Sequence, residues 1–92
     1  PVGPWICTDL DGSDLRVSVL VNGELRADGR TSQMVVGIGD LIAYISAIMT
    51  LEPGDIIATG TPPGVAPLTP GDEVVVRIEG IGDLSNPVIP RV

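Results

Sequence analysis

The chain has 92 residues, 43% of them hydrophobic and only 2% aromatic, with twelve acidic residues against five basic ones and a net charge of −7. That bounds it to one domain at most, with a core of Val, Ile, Leu and Ala. It argues against a nucleic-acid partner, because neutralising phosphates takes clustered Lys or Arg and stacking on bases takes aromatic rings.

The residues that are missing exclude as much as the charge does. No His and no Lys occur, which removes Ser-His-Asp and Cys-His catalysis, His-ligated zinc and lysine Schiff bases from this chain acting alone. The single cysteine, Cys7, has no internal disulfide partner, so an oxidising compartment is not implied. Within Trp5-Ile6-Cys7 it reads as an inert buried thiol. No apolar run approaches the ~18 residues of a membrane span, and no basic, apolar leader opens the chain. The expectation is a soluble, cytoplasmic protein without a membrane partner.

Twelve Gly and nine Pro punctuate the chain too often for a helical bundle, so short strands and turns are its grammar. After the acidic turn Asp9 to Asp14, residues Leu15 to Val21 alternate as a strand, with Leu15, Val17, Val19 and Val21 on one face. Asn22-Gly23 accepts the positive φ of a type I′ hairpin turn, and Glu24 to Ala27 returns as the partner strand, closed by Asp28-Gly29. Met34-Val35-Val36 reads as a further short strand. From Leu41 to Met49 the apolar positions fall on one side of a helix about ten residues long. Gly37 and Asp40 have the spacing of a capping box without its hydroxyl, and Leu51-Glu52-Pro53-Gly54 ends the helix. Ile56 to Thr59 reads as a strand, Glu73 to Glu79 as another with one apolar face, and Leu84 to Ile89 as an edge strand interrupted by Pro87.

Two near-copies of a turn, Leu51-Glu52-Pro53-Gly54-Asp55 and Leu68-Thr69-Pro70-Gly71-Asp72, flank the stretch from Ile56 to Pro67 and reflect shared turn chemistry, not a repeat. Between them, Thr59-Gly60-Thr61-Pro62-Pro63-Gly64 follows directly on a β-branched run. Thr and Gly-Pro pairs end strands in many folds, so a purely structural role is one reading. The other is an anion grip, in which Gly60 lets a ligand approach the backbone and the Thr61 hydroxyl with a backbone N–H holds a carboxylate. Asp9, Asp11 and Asp14 are loosely spaced like calcium-loop ligands, but no Glu closes the loop, and solvated turn charge fits better. Arg16, Arg26, Arg30 and Arg77 offer carboxylate partners, yet a lone strand arginine usually serves an ion pair.

Several segments occur in an order that resembles the C-terminal part of the fumarylacetoacetate hydrolase family. These are Pro1-Val2-Gly3-Pro4-Trp5-Ile6, Val21-Asn22-Gly23-Glu24, Arg30-Thr31-Ser32-Gln33-Met34, and the long run from Leu41 to Val65. They look most like the bacterial members that isomerise, decarboxylate or hydrolyse 2-hydroxymuconate-type acids and acylpyruvates. The resemblance implies a mainly β, α+β fold that is part of a mixed β-roll or barrel, and a likeness to enzymes that are usually homodimers; apart from it, apolar strands without their upstream partners would expose sheet edges through which the chain associates. The resemblance also implies a Mg²⁺ or Mn²⁺ ion acting as Lewis acid on a small 2-oxo acid substrate. The family's Thr of the Gly-Thr-Pro element helps hold the substrate carboxylate, which carries over to Thr61 with Gly60 beside it.

The family's metal-binding Glu-x-Glu and Asp, and its Lys before the Gly-Pro-Trp segment, lie upstream of Pro1, so no metal ligand and no catalytic residue is carried over. Many members have an acidic residue at the position of Gln33, a Glu at that of Val75 and a helix-capping Ser at that of Gly37. Residues 1–92 are thus expected to be the C-terminal portion of one catalytic domain, without its metal-binding half. The alternative is a non-catalytic β-rich remnant that oligomerises or docks on a full-length paralogue.

Overall fold

The structure is a computed structural model and describes residues 1–64 and 66–91. Four strands, β1 (Arg16–Val21), β2 (Glu24–Arg30), β3 (Glu73–Ile78) and β4 (Gly82–Pro87), form an antiparallel sheet in the order β2-β1-β3-β4. A single turn of 3₁₀ helix (Thr31–Gln33) and one α-helix, α1 (Ile38–Ile48), lie between β2 and β3 in sequence. The fold is α+β and mainly strand, and no parallel pairing occurs among the described residues.

The hairpin forms as its turn residues dictate. Asn22 has φ 51° and Gly23 φ 81°, the left-handed pair that a type I′ turn needs. The Asn22 side chain also ties this turn to the next strand. Its amide donates to Asp72 Oδ1 at 2.8 Å, and its Oδ1 accepts the Glu73 N–H at 2.9 Å. β2 outlasts the expected end at Ala27 by three residues, because Asp28, Gly29 and Arg30 continue to pair with Ser18, Val17 and Arg16. Between Val19 and Leu20 the register shifts, leaving Arg26 as the extra residue of a bulge. Bulges sharpen local twist and re-aim the strand.

The sheet has two unlike faces. Val17, Val19 and Val21 share one with Val74, Val76 and Ile78, their partners in register. On the other, Ser18 lies opposite both Asp28 and Arg77, and Arg77 opposite Asp83. The N-terminal segment crosses the β3–β4 turn, where the Trp5 indole donates to the Ile81 carbonyl at 2.8 Å. Gly80 and Gly82 have no side chain to obstruct Leu10 and the Trp5 ring, which lie against them.

Three readings need correction. Met34–Val36 is no strand but a bend between the 3₁₀ turn and α1, since three residues before a helix start leave no length for pairing. Ile56–Thr59 has no ladder: β propensity favours an extended backbone, but a strand also needs a neighbour. Cys7 is half-buried instead of buried, its thiol 3.7 Å from the Gly80 carbonyl, because its segment lies over a turn and not inside a core. The helix starts earlier than expected, at Ile38, with Gly37 as N-cap making no side-chain bond. The edge strand begins earlier too, at Gly82, and stops at Pro87.

The two Pro-Gly-Asp turns are the same structure. Gly54 and Gly71 have φ 96° and 99°, as the third position of a type II turn requires. Asp55 and Asp72 each return an N–H to the carbonyl three residues back, and each carboxylate accepts the N–H of that same residue, Glu52 or Thr69. Among the described residues the second turn alone is woven into the sheet, through Gly71 N–H to Val88 O and Val88 N–H to Asp72 O.

Very little of this is core. Val21 and Ala27 are the buried hydrophobic side chains of the described residues, and no residue of α1 is buried. The exposed surface is 6987 Å², against roughly 5,000 Å² for a compact domain of this mass, so about 2,000 Å² is exposed beyond what a self-contained domain of this size shows.

The Thr69 and Ser13 N–H groups, the Asn22 amide and Arg16, Arg30 and Arg77 hold Asp72, Asp11, Asp28, Asp14 and Asp83 below the usual aspartate range. A depressed carboxylate contributes stability that is present above its unfolded pKa and is lost as pH falls through the folded value. Stability therefore falls with acidification below about pH 4. Asp72→Asn should flatten that acid limb in pH-dependent urea unfolding, and an unchanged limb would show that Asp72 is not linked to folding.

Candidate functional site

The segment singled out by sequence, residues 59–64, lies against β2. Two glycines allow it. A Cβ on Gly29 would sit 2.8 Å from Pro62 Cβ and 3.4 Å from Gln33 Oε1, distances that real side chains essentially never tolerate or only barely. A Cβ on Gly64, whose φ is 116°, would collide with the Arg26 carbonyl and come within 3.0 Å of Ala27 Cα. The loop thus lies close on β2 with Pro62 over Gly29 and Gly64 over the bulge at Arg26.

Thr61 is presented between these constraints. Pro62 is half-buried, whereas Gly60 and Thr61 are exposed. Gly60 has φ 98°, and a Cβ there would meet nothing within 4 Å, so the space beside its backbone is open. Among the described residues the Thr61 hydroxyl has one partner, the Pro62 carbonyl at 3.4 Å, long for an O–H···O bond. It keeps most of its capacity to donate elsewhere.

Beside Gly29 lies a shallow groove of about 360 Å³ lined by Arg16, Asp28, Gly29, Arg30 and Gln33. Arg16 and Arg30 are directly opposite in the β1–β2 register, an unfavourable pairing of like charges unless each is compensated. Both are. Arg16 grips Asp28 through two bonds of 2.8 and 2.9 Å. Arg30 bonds Asp14 Oδ1 at 2.7 Å and approaches Glu79 at 3.5 Å. Arg77 pairs with Asp83 at 2.8 Å and Arg26 lies 4.0 Å from Glu24. The strand arginines serve ion pairs, in keeping with the plainer of their two readings. Their hydrogen bonds to Asp28, Asp14 and Asp83 hold Arg16, Arg30 and Arg77 charged beyond the ordinary arginine range.

The acidic turn is not a cation site. Asp11 accepts the Ser13 N–H at 2.9 Å, and Asp14 takes Arg30 and the Ser32 hydroxyl at 2.6 Å. Among the described residues no group of three His, Cys, Asp or Glu is placed to hold a metal ion. The donor set present therefore does not fit a divalent metal.

Sequence reasoning missed Gly29, Gly64 and Thr31 as structural determinants and read Gln33 only as a departure from a family pattern. Thr31 stitches the acidic turn to the strand ends, its hydroxyl donating to Gly12 O at 2.7 Å and accepting the Leu15 N–H at 2.8 Å. Gln33 Oε1 accepts the Arg30 N–H at 2.8 Å, which holds its amide at the wall of the groove. Only the small residues of β2, Ala27 and Gly29, hinted that something comes close there.

Residues 1–89 match the C-terminal fumarylacetoacetate hydrolase family. The chain belongs to that family. Val65, at the end of the run that carries the resemblance, lies outside the described residues. A protein of Mycobacterium tuberculosis is 55% identical across 99% of this chain and 36% of its own length. The crystal structure of 2-hydroxyhepta-2,4-diene-1,7-dioate isomerase from Mycobacterium marinum superposes with a TM-score of 0.94 at 54% identity, covering 97% of this chain and 35% of that one. Maleylpyruvate hydrolase from Sphingobium sp. SYK-6, in complex with manganese(II) and pyruvate, superposes at 0.92 with 44% identity over 97% of this chain and 35% of that one. The chain thus spans about a third of the length of these family members. They include an isomerase and a hydrolase, each named for a small organic acid.

Gly64→Ala should strain the loop at a φ that only Gly readily adopts and press a methyl on the Arg26 carbonyl. The expected cost is about 2–4 kcal/mol in denaturant unfolding, and a loss under 0.5 kcal/mol, the size of an ordinary surface change, would show that the loop is not held against β2.

Proposed function

We propose that this chain is the C-terminal portion of a fumarylacetoacetate hydrolase-family catalytic domain and supplies the grip on the substrate carboxylate through Gly60 and Thr61. The observation that carries the reading is the pinned loop, with Pro62 and Gly64 fixed on β2 while the Thr61 hydroxyl stays exposed and weakly partnered. A hydroxyl held by a rigid scaffold binds without first being ordered, and Gly60 lets a carboxylate oxygen reach the backbone.

The described residues offer no ligand set for a divalent ion, so this segment's share of the chemistry is binding and orientation. In this reading the Mg²⁺ or Mn²⁺ ion of the complete enzyme, consistent with the manganese of the Sphingobium hydrolase, is held by residues outside this segment. The substrate class is a small 2-oxo acid, an acylpyruvate or a 2-hydroxymuconate-type dicarboxylic acid of aromatic-compound catabolism, processed by hydrolysis, isomerisation or decarboxylation in a cytoplasmic dimer. Removing the hydroxyl alone tests the grip. In the complete enzyme, Thr61→Val should weaken binding of oxalate or pyruvate by roughly 1.5–3 kcal/mol, the worth of a hydrogen bond to a charged group. Unchanged affinity, measured calorimetrically, overturns the carboxylate role.

A second reading is favoured by the uncovered apolar surface, including Ile42, Tyr44 and Ile48 of α1: a non-catalytic β-rich module that associates through its exposed faces and sheet edges. The isolated 92 residues should associate in sedimentation velocity and show no turnover of an acylpyruvate. A stable, well-folded monomer would sink the second reading, and robust turnover would sink the view that catalysis needs residues outside this segment.

A further inference from the structure

We infer that Gly29 is a positioning residue for Thr61, setting the loop's distance from β2 and hence where the substrate carboxylate is held. The inference rests on the proposed carboxylate role of Thr61. It concerns a residue 32 positions away that has no group able to touch a substrate.

The geometry runs through one intermediate residue. The Cα of Gly29 faces the Pro62 ring so closely that an added Cβ would lie 2.8 Å from Pro62 Cβ and 3.8 Å from Pro62 Cγ. Pro62 in turn restricts the backbone of the residue before it, since the ring's Cδ excludes the helical region for Thr61. The second contact, Gly64 on Arg26 and Ala27, anchors the far end of the loop, so a push at Pro62 cannot be absorbed by sliding the loop outward as a whole. The near end is the compliant one, because Gly60 sits in open space. A displacement at Pro62 is therefore taken up at Thr61 and Gly60, where the grip is.

The opposite wall is also fixed. Gln33 Oε1 would lie 3.4 Å from a Gly29 Cβ, and the same oxygen accepts the Arg30 N–H at 2.8 Å. A methyl at Gly29 is thus caught between a proline ring and a hydrogen-bonded amide. Gln33 is tied to Arg30, whereas the near end of the loop at Gly60 is open, so it is the Pro62 side that gives.

Calorimetric titration of oxalate into the complete enzyme as wild type, Gly29→Ala, Thr61→Val and the double variant tests this. Gly29→Ala should weaken oxalate about ten- to hundredfold, the range for losing one hydrogen bond to a charged group. The double variant should bind like Thr61→Val alone, because a misplaced hydroxyl and a missing one cost the same bond. Should Gly29→Ala not accumulate as folded protein, Pro62→Gly, which removes the Cβ facing Gly29 and frees Thr61, replaces it with the same two expectations. Wild-type affinity in the glycine variant or its replacement, or losses that multiply in the double variant, overturns the inference while leaving the grip intact. An unaffected Thr61→Val overturns both.

Discussion

The arrangement depends on one close approach, the packing of a Gly-Thr-Pro-Pro-Gly loop onto strand β2 at a separation that leaves no room for side chains at Gly29 or Gly64. Close packing transmits displacement because neighbouring atoms already sit at contact distance. The bulge at Arg26 belongs to the same device, since it exposes the carbonyl over which Gly64 lies. The loop carries no regular secondary structure, so its precision comes from these contacts and from its prolines, not from a hydrogen-bonded ladder.

Electrostatics around the loop are settled before any ligand arrives. Arg16 and Arg30 face each other across two strands, and each is held by its own carboxylate partners. Exposed pairs of this kind contribute little to stability, yet they occupy the guanidinium groups of Arg16 and Arg30 beside the loop.

The thinness of the core bears on how the segment works. With Val21 and Ala27 as its buried apolar side chains and α1 uncovered, the sheet holds together through its ladders and through side-chain ties such as Asn22 to Asp72 and Trp5 to Ile81. The hydrophobic contribution, at about 25 cal/mol per Å², stays small until the exposed faces are covered. That is the physical content of reading these residues as one part of a larger catalytic domain.

Local chemistry was legible in the sequence. Asn22-Gly23 demanded a type I′ turn, the two Pro-Gly-Asp runs demanded matching turns, and the apolar spacing from Leu41 onward demanded a helix, because each is decided within a few residues by φ preferences or by periodicity. Ile56–Thr59 and Met34–Val36 were misread for the opposite reason: a strand exists only beside another strand, and no local preference reveals whether one is there. The same limit hid the partners of the loop. Sequence alone determined that Gly60 and Thr61 stand at the end of a β-branched run with a proline behind them. Only the tertiary structure decided that Gly29, 33 positions before Pro62, lies under it, because contact across such a separation depends on how the chain closes on itself.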